Sequence, residues 1–425
     1  HRDLHYPLRR QRQMCIRDRK YFMKKRCDVV SLITKIIEIP TVNPPGENYE
    51  EMVSFLEKKC KAIGLKTKKH ITPERVLQRF GVKGGSKRVS LVADWKAGAK
   101  KTLHIASHYD VVPATDKWKT DPYKAVIKGD KIYGRGSEDM KGNIASVLFA
   151  LEAIKRNGIK PNVNLQISFT PDEETGGRTG LGFLVDNGLV TADYAMSEGY
   201  SGEYVSMGNK GVMWAEIAVK GKASHASMPH KGVNAFEHMA ALAMELEKLK
   251  KRIERRKTKF NTKDAVSGMP TFVMGGLLEG GVKVNVVPGI ARFSIDRRLI
   301  PEETVSSVQR EIEAVIKKFN AGRKQCEAYI EFSSKEAPSI SPYNKMFFNT
   351  VSQAIKDVTG KSAKFCLMPG ATDLRYFMWK GIPALGYSSS GGEKWHGDNE
   401  FVSINSLVNT AKVYAKIITE GVFVV

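Results

Sequence analysis

The sequence predicts an α/β protein with a mainly parallel central sheet flanked by helices, interrupted by an inserted α+β segment. Three observations carry this. Strands and amphipathic helices alternate from residue 28 to about 197, the pattern of βα units. The texture changes from Gly208, where a strand, a long helix, a run of strands, a second helix and a last strand follow in order, as in a ferredoxin-like sandwich. From about residue 335 the alternation of helix and strand returns.

Taken in order, residues 28–39 place apolar side chains at helical spacing, with Asp28 as a candidate N-cap. Pro40, Pro44, Pro45 and Gly46 break the chain, and a second amphipathic helix over 49–63 ends at Gly64. Residues 70–100 suggest only short strands and turns. A strand over 102–107, a Gly-rich loop, a helix over 140–156, an alternating strand over 163–169, a short helix near 179–187 and a strand over 193–197 follow. The inserted segment reads as strand 211–220, helix 233–256, strands 271–278, 282–287 and 290–299, helix 302–319 and strand 327–333. Helices over 343–358 and 373–379, strand 382–387 and helix 404–420 complete the chain. The expected division is a basic leader (1–26), a catalytic domain in two parts (27–208 and 335–425), and an inserted lid or dimerisation domain (209–334).

With 425 residues, 42% of them apolar, the chain is long enough for two or three domains with real cores. No run approaches the 18 apolar residues of a membrane span. The five cysteines are scattered without a C-x-x-C pair, which points to a reducing, cytoplasmic setting and excludes a cysteine-rich zinc site. Net charge is +23, but residues 1–26 alone hold ten Lys or Arg against Asp3 and Asp18. That leader lacks the apolar region of a secretory signal. Its run M-C-I-R-D-R resembles translated adapter sequence, and Met23 is the expected start. Elsewhere the lysines lie on helix faces without interleaved aromatics, so neither a nucleic acid nor a membrane is an expected partner.

The chemistry gathers at strand ends. His108 and Asp110, two apart on or just after a strand, point to one side, so the carboxylate can fix the tautomer of a metal-bound imidazole. Asp139 opens a helix after a glycine-rich loop, where a lone Asp can be an N-cap or a ligand bridging two cations. Glu173 and Glu174 directly follow strand 163–169, and such a buried pair needs a cation or a shared proton. Glu198 ends the next strand, and His396 lies beyond strand 382–387. Two His and three carboxylates form the donor set of two borderline cations about 3.5–4 Å apart. His104, on the same strand as His108, is expected to pack within it.

These motifs resemble the co-catalytic zinc deacylase and peptidase family that includes acetylornithine deacetylase, succinyl-diaminopimelate desuccinylase, aminoacylase and glutamate carboxypeptidase. The resemblance covers roughly residues 28–420. It rests on S-H-Y-D-V-V-P, D-K-I-Y-G-R-G-S-E-D-M-K-G-N-I-A, P-D-E-E-T-G-G and H-G-D-N-E, with G-K-A-S-H-A-S-M-P and N-V-V-P in the insert. It implies two Zn2+ (Co2+ or Mn2+ being possible replacements), with Asp139 bridging, His108 and Glu198 completing one metal, and Glu174 and His396 the other. Glu173 is implied as general acid/base and Asp110 as the residue orienting His108. His225 is implied to polarise the scissile carbonyl, reaching in from the partner subunit in dimeric relatives. Asn285, Arg298, Gly370 and Thr372 resemble substrate-holding positions, although alternation cannot say whether Arg297 or Arg298 faces the substrate. Glu at 198 fits the deacylase and carboxypeptidase side of the family. Ser137-Glu138 departs slightly from the motif and is expected to leave the ligand set unchanged.

The implied activity is metal-dependent hydrolysis of the amide in N-acyl amino acids, as in acetylornithine or succinyl-diaminopimelate deacylation. The expected substrate is a small molecule with a free carboxylate, and the expected assembly is a homodimer through the inserted domain. The alternatives are a dipeptidase or carboxypeptidase with the same site, or a non-catalytic binding protein on the same fold.

Overall fold

The computed structural model describes residues 25–323 and 325–423. The expected leader lies outside the described residues except for Lys25 and Arg26. Two compact units emerge. One comprises the chain through Met207, Ser341–Phe365 and the segment from Thr372; the other comprises Gly208–Ile340 with Cys366–Ala371.

In chain order the strands are β1 (Lys66–Ile71), β2 (Val89–Trp95), β3 (Thr102–His108), β4 (Val126–Lys128), β5 (Lys131–Tyr133), β6 (Asn164–Thr170), β7 (Tyr194–Tyr200) and β8 (Tyr204–Asn209). They continue as β9 (Gly211–Lys220), β10 (Ser224–His225), β11 (Thr271–Gly280), β12 (Val286–Val287), β13 (Ile290–Leu299), β14 (Glu327–Glu336) and β15 (Ser339–Ile340). The last are β16 (Lys364–Met368), β17 (Ala384–Tyr387) and β18 (Phe401–Ser403).

The large sheet of the first unit runs β1-β2-β6-β3-β7-β17-β8. Its parallel character is confined to the centre, where β6, β3, β7 and β17 run together. The flanking pairs β1–β2, β2–β6 and β17–β8 are antiparallel. Side chains alternate between two cores. Leu91, Leu103, Ile105, Tyr194 and Leu385 join the helices Arg26–Ile37, Tyr49–Ile63, Lys141–Arg156 and Ile404–Glu420 on one face. Val92, Ala106, Ala195 and Ala384 meet the short helices Leu181–Asp186 and Leu374–Trp379 on the other. A sheet covered on both faces explains why its central strands read as continuous apolar runs. Helix Lys141–Arg156 buries residues all around its circumference, which fixes the start of the segment carrying Asp139.

Most boundaries fall within three residues of expectation. The first helix begins at Arg26, so Asp28 sits in its first turn, where it favours the helix dipole, rather than at the cap. The helix over 49–63 ends as expected, with Gly64 at φ 92°, a conformation that suits glycine. The stretch 70–100 contains a helix, Glu74–Arg79, with no buried residue and hence no apolar stripe to announce it. Residues 282–287 do not form a full strand. Only Val286–Val287 pairs, with β10, and the preceding residues are exposed.

The second unit has the antiparallel sheet β11-β13-β9-β14. Its helices Ala235–Ile253 and Val305–Ala321 pack with Phe293, Ile295 and Leu299 of β13 in one core. The β-α-β-β-α-β order with the first strand inside the sheet is the ferredoxin-like arrangement. No helix among the described residues is long and apolar enough to cross a membrane.

Candidate metal centre

The parallel strands of the first unit end on one edge of the sheet, where open α/β sheets build sites. β3 ends at His108, β6 runs into Pro171–Gly177 with Glu173 and Glu174, and β7 carries Glu198. Asp139 precedes helix Lys141–Arg156, whose N-cap is Met140, so its carboxylate is not a cap.

Instead, Asp139 lies between two imidazoles. His108 Nε2 is 3.1 Å from Oδ1, and His396 Nε2 is 3.3 Å from Oδ2 and 2.9 Å from Glu174 Oε2. Donor atoms of His108, Asp139 and Glu174 fall within 4.8 Å of one another. Glu198 is buried on β7 and is not part of that group; it accepts from Ser197 Oγ at 2.6 Å and from the Asp373 N–H at 3.2 Å.

The electrostatics are those of crowded acids. Burial pushes the Glu173 carboxyl well above the usual range; Asp373, Glu198 and Glu174 add to the rise and His108 opposes it. Burial lifts Glu174 to about 7, against the pull of His396. Burial likewise lifts Asp373 to about 7. Hydrogen bonds to Asp139 and Glu174 raise His396 to about 10. For Asp139, burial acts upward, but the bonds to both imidazoles outweigh it and hold the carboxyl below its usual range.

Asp110 meets the His108 ring through both its backbone and its carboxylate. His108 Nδ1 is 3.0 Å from the Asp110 backbone carbonyl and 3.4 Å from its carboxylate. The Asp110 carboxylate accepts from the N–H groups of Glu173 and Glu174 at 3.2 Å each and from Asn43 Nδ2 at 2.8 Å. It therefore aligns the backbone of the acidic pair. Behind it, the buried carboxylate of Asp172 accepts from Arg88 Nε (3.1 Å), Tyr49 Oη (3.1 Å), Asn43 Nδ2 (3.2 Å) and Thr179 Oγ1 (2.5 Å). Arg375 approaches Glu173, with Nη1 3.9 Å from Oε1. Asn43, Arg88, Asp172 and Arg375 escaped sequence reasoning. Their partners lie far away in the chain, and the only local signal was Asp172 itself, inside P-D-E-E. Gly177 has a plain steric reason: a Cβ there would fall 2.0 Å from Asp373 Oδ1.

In the second unit, His225 is exposed on the β10–β12 ribbon. Its Nδ1 accepts the Ser227 N–H at 3.1 Å and lies 2.7 Å from Ser227 Oγ. An accepting Nδ1 leaves Nε2 as the N–H donor of the neutral ring. Asn285 is exposed beside it in the ribbon, its carbonyl accepting from Ala226 N–H. The two arginines of β13 separate cleanly. Arg297 is buried on the helix-covered face and bonds Glu303 at 2.5 Å. Arg298 is on the other face, gripping Asp296 through Nε (2.8 Å) and Nη2 (2.9 Å). Gly370 accepts from Asn209 Nδ2 at 3.1 Å through its carbonyl. Thr372, in the first unit, is buried just before helix Leu374–Trp379.

Residues 104–420 match the model of peptidase family M20/M25/M40. The chain belongs to this family. It is 30% identical to an uncharacterized metallohydrolase of Methanocaldococcus jannaschii over 416 residues, 92% of this chain and 98% of that one. It is 27% identical to aminoacylase-1 of Sus scrofa over 389 residues, covering 84% and 86% of the two chains. An M20 family metallo-carboxypeptidase of Sulfolobus solfataricus has the same fold, with a TM-score of 0.74 at 21% identity over 91% of this chain and 98% of its own. Membership makes the chain a hydrolase of the metallopeptidase and amidohydrolase kind.

The M20 donors here fit a cation. Glu174 Oε1 is buried with no hydrogen-bond partner among the described residues. A buried acceptor left open in this way is costly unless something positive meets it. Each oxygen of Asp139 is already paired with a separate imidazole, the disposition a bridging carboxylate needs.

Proposed function

We propose that this M20 enzyme hydrolyses the amide of N-acyl amino acids, with Asp139 shared between two cations, His108 and Glu198 on one, and Glu174 and His396 on the other. The placement of Asp139 between His108 and His396 carries this reading. Zinc suits the mixed His and carboxylate donors, and Co2+ or Mn2+ could replace it. When bound, such cations acidify water and polarise the substrate carbonyl. Glu173, buried and with a raised affinity for protons, takes the proton from the attacking water and returns it to the leaving amine. Asp110 holds the Glu173 backbone in place during both transfers. His225 is proposed as an N–H donor to the carbonyl oxygen, which its accepting Nδ1 favours. Arg298 and Asn285, with Gly370 and Thr372, are proposed to hold the substrate carboxylate and acyl group. The aminoacylase-1 relatives favour an N-acyl amino acid in general, without singling out acetylornithine or succinyl-diaminopimelate.

A homodimer through the second unit belongs to the same reading. β11 is an edge strand, and Leu277, Leu278 and Val282 near its end are 74%, 68% and 87% exposed, an apolar edge suited to a second copy. A cytoplasmic setting is proposed from the five scattered cysteines of the sequence, which include no C-x-x-C pair.

The metallo-carboxypeptidase with this fold gives the second reading, a peptidase acting at a free carboxyl terminus. A panel of N-acetyl and N-succinyl amino acids and dipeptides, assayed after chelation and again after adding Zn2+, Co2+ or Mn2+, separates the two. Metal-restored cleavage of acyl amino acids is expected. Cleavage of dipeptides alone would transfer the assignment to the peptidase, and no cleavage of either would sink both.

A further inference from the structure

The loop between β17 and β18 carries His396 but does little to hold itself. Glu393, His396 and Asn399 take φ values of 61°, 60° and 57°, the left-handed region that costs a non-glycine residue about 1–2 kcal/mol. Glu393, Lys394 and His396 are exposed. Asp398 and Asn399 accept from Thr115 Oγ1 and the Lys119 N–H, and the first half of the loop is restrained by Glu138, whose side chain is buried beside Asp139. Glu138 Oε1 accepts from Ser390 Oγ (2.6 Å) and from the N–H groups of Gly391 (2.8 Å) and Glu393 (2.9 Å); Oε2 accepts the Lys394 N–H (2.9 Å).

A second carboxylate returns the grip. Glu400, at the far end of the loop, accepts the N–H groups of Gly136 (3.0 Å), Glu138 (2.8 Å) and Asp139 (3.1 Å). It also pairs with Arg135 Nη1 at 2.8 Å, and Arg135 donates to the carbonyls of His396 and Gly397 at 3.2 Å each. Two acids thus lace the segment bearing Asp139 to the segment bearing His396. Each bond is charge-assisted, and apart from the Ser390 hydroxyl and the Arg135 guanidinium the donors are backbone N–H groups, so the two acids fix chain position more than rotamers.

We propose that Glu138 is a positioning residue for the cation held by Asp139 and His396. Its carboxylate sets the His396 loop at the distance from Asp139 that lets both side chains hold one ion. The inference rests on the proposed metal reading. It gives a function to Glu138 of the Ser137-Glu138 pair that precedes Asp139.

The test is titration of the metal-free protein with Co2+, followed by calorimetry and visible absorption, for wild type and Glu138→Gln. Gln preserves volume but turns an amide N–H toward the Lys394 N–H. The expected result is two binding steps in wild type, with one weakened about 10–100-fold in the variant and the other within threefold. Hydrogen exchange of the metal-free variant should rise across 390–397 and not across 171–177. Unchanged affinity in both steps, or equal weakening of both, would overturn the role of Glu138 while leaving the metal reading standing. Absence of Co2+ binding in wild type would overturn both. Should Glu138→Gln not fold, Ser390→Ala removes one of the four donors and should weaken the same step by about threefold; no shift in it would overturn the proposal.

Discussion

The loop after β6 and the loop after β17 both bring side chains to the candidate centre, but one is held from the interior and the other from a neighbouring loop. Pro171–Gly177 hangs on the buried Asp172 carboxylate, which reaches β2-side Arg88 and helix residue Tyr49. The His396 loop is solvent-facing, with a His396 side chain 52% exposed, and hangs mainly from Glu138, through the Ser390 hydroxyl and three backbone N–H groups. Both contain a non-glycine residue at positive φ, Asp172 at 65° and Glu393 at 61°. The proposed proton carrier Glu173 sits on the loop anchored from the interior, where a small misplacement is costly to catalysis. The exposed loop supplies only a terminal ligand, which a bound cation can help to order.

The largest test of this division is Glu173→Gln. Removing the proton carrier while keeping its shape should lower kcat about 10²–10⁴-fold. Metal content by elemental analysis should stay at the wild-type value. Loss of metal in step with activity would move Glu173 from acid/base to ligand.

Next is Arg88→Met. It strands the Asp172 carboxylate in the interior, where Arg88 and Asp172 side chains are 3% and 1% exposed. Breaking one side of such a pair costs about 3–5 kcal/mol, read by urea unfolding. The exposed pair of Lys361 with Glu203 is the contrast, and Lys361→Met should cost less than about 1 kcal/mol. Comparable losses for both would erase the distinction between interior and surface anchoring.

What the sequence could and could not disclose follows the same line. His108, Asp139, Glu174 and His396 were legible because each stands in a short motif at a strand or helix end, and the structure gathers all four. Glu198 was expected from its place near the end of a strand; it lies within β7, two residues before its end, and is proposed as a ligand from the resemblance alone. Glu138 was noted only as part of the Ser137-Glu138 departure and Glu400 was passed over, since their bonds run to partners more than 250 residues away in the chain. Arg88 was invisible for the same reason. The alternation of β13 left Arg297 and Arg298 undecided until helix packing showed which face was covered. The central helices and strands were readable because apolar periodicity reports burial. The helix Glu74–Arg79 and the edge strand β1, neither of which contains a buried residue, carry no such signal.

A third test concerns the strand that joins the two histidines. His104 of β3 is buried between Ser168 Oγ (2.8 Å) and Gln166 Oε1 (3.3 Å) of β6, the strand that delivers Glu173. Burial lowers its pKa to about 4, with Gln166 and Asp94 opposing. The unfolded chain, with a His pKa near 6.5, then binds the proton first. The stabilising contribution is complete above pH ~6.5 and is lost as pH falls from there to ~4, at about 1.4 kcal/mol per unit. Stability at pH 5 should lie about 2 kcal/mol further below its pH 7 value in wild type than in His104→Gln. Equal losses in the two proteins would show that His104 charges without strain.

The smallest effect separates the two positive-φ residues. Asp172→Gly relieves its backbone but removes the acceptor of four side chains, leaving Arg88 buried without its partner; a loss of about 3 kcal/mol or more is expected. Glu393→Gly relieves the same backbone conformation and leaves its N–H free to bond Glu138. Because the conformation costs about 1–2 kcal/mol and glycine returns some of this as unfolded-state entropy, the net change should be a gain below about 1 kcal/mol. Urea unfolding of the two variants measures both. A loss at Glu393→Gly matching that at Asp172→Gly would mean that the Glu393 side chain, and not only its backbone N–H, holds the exposed loop.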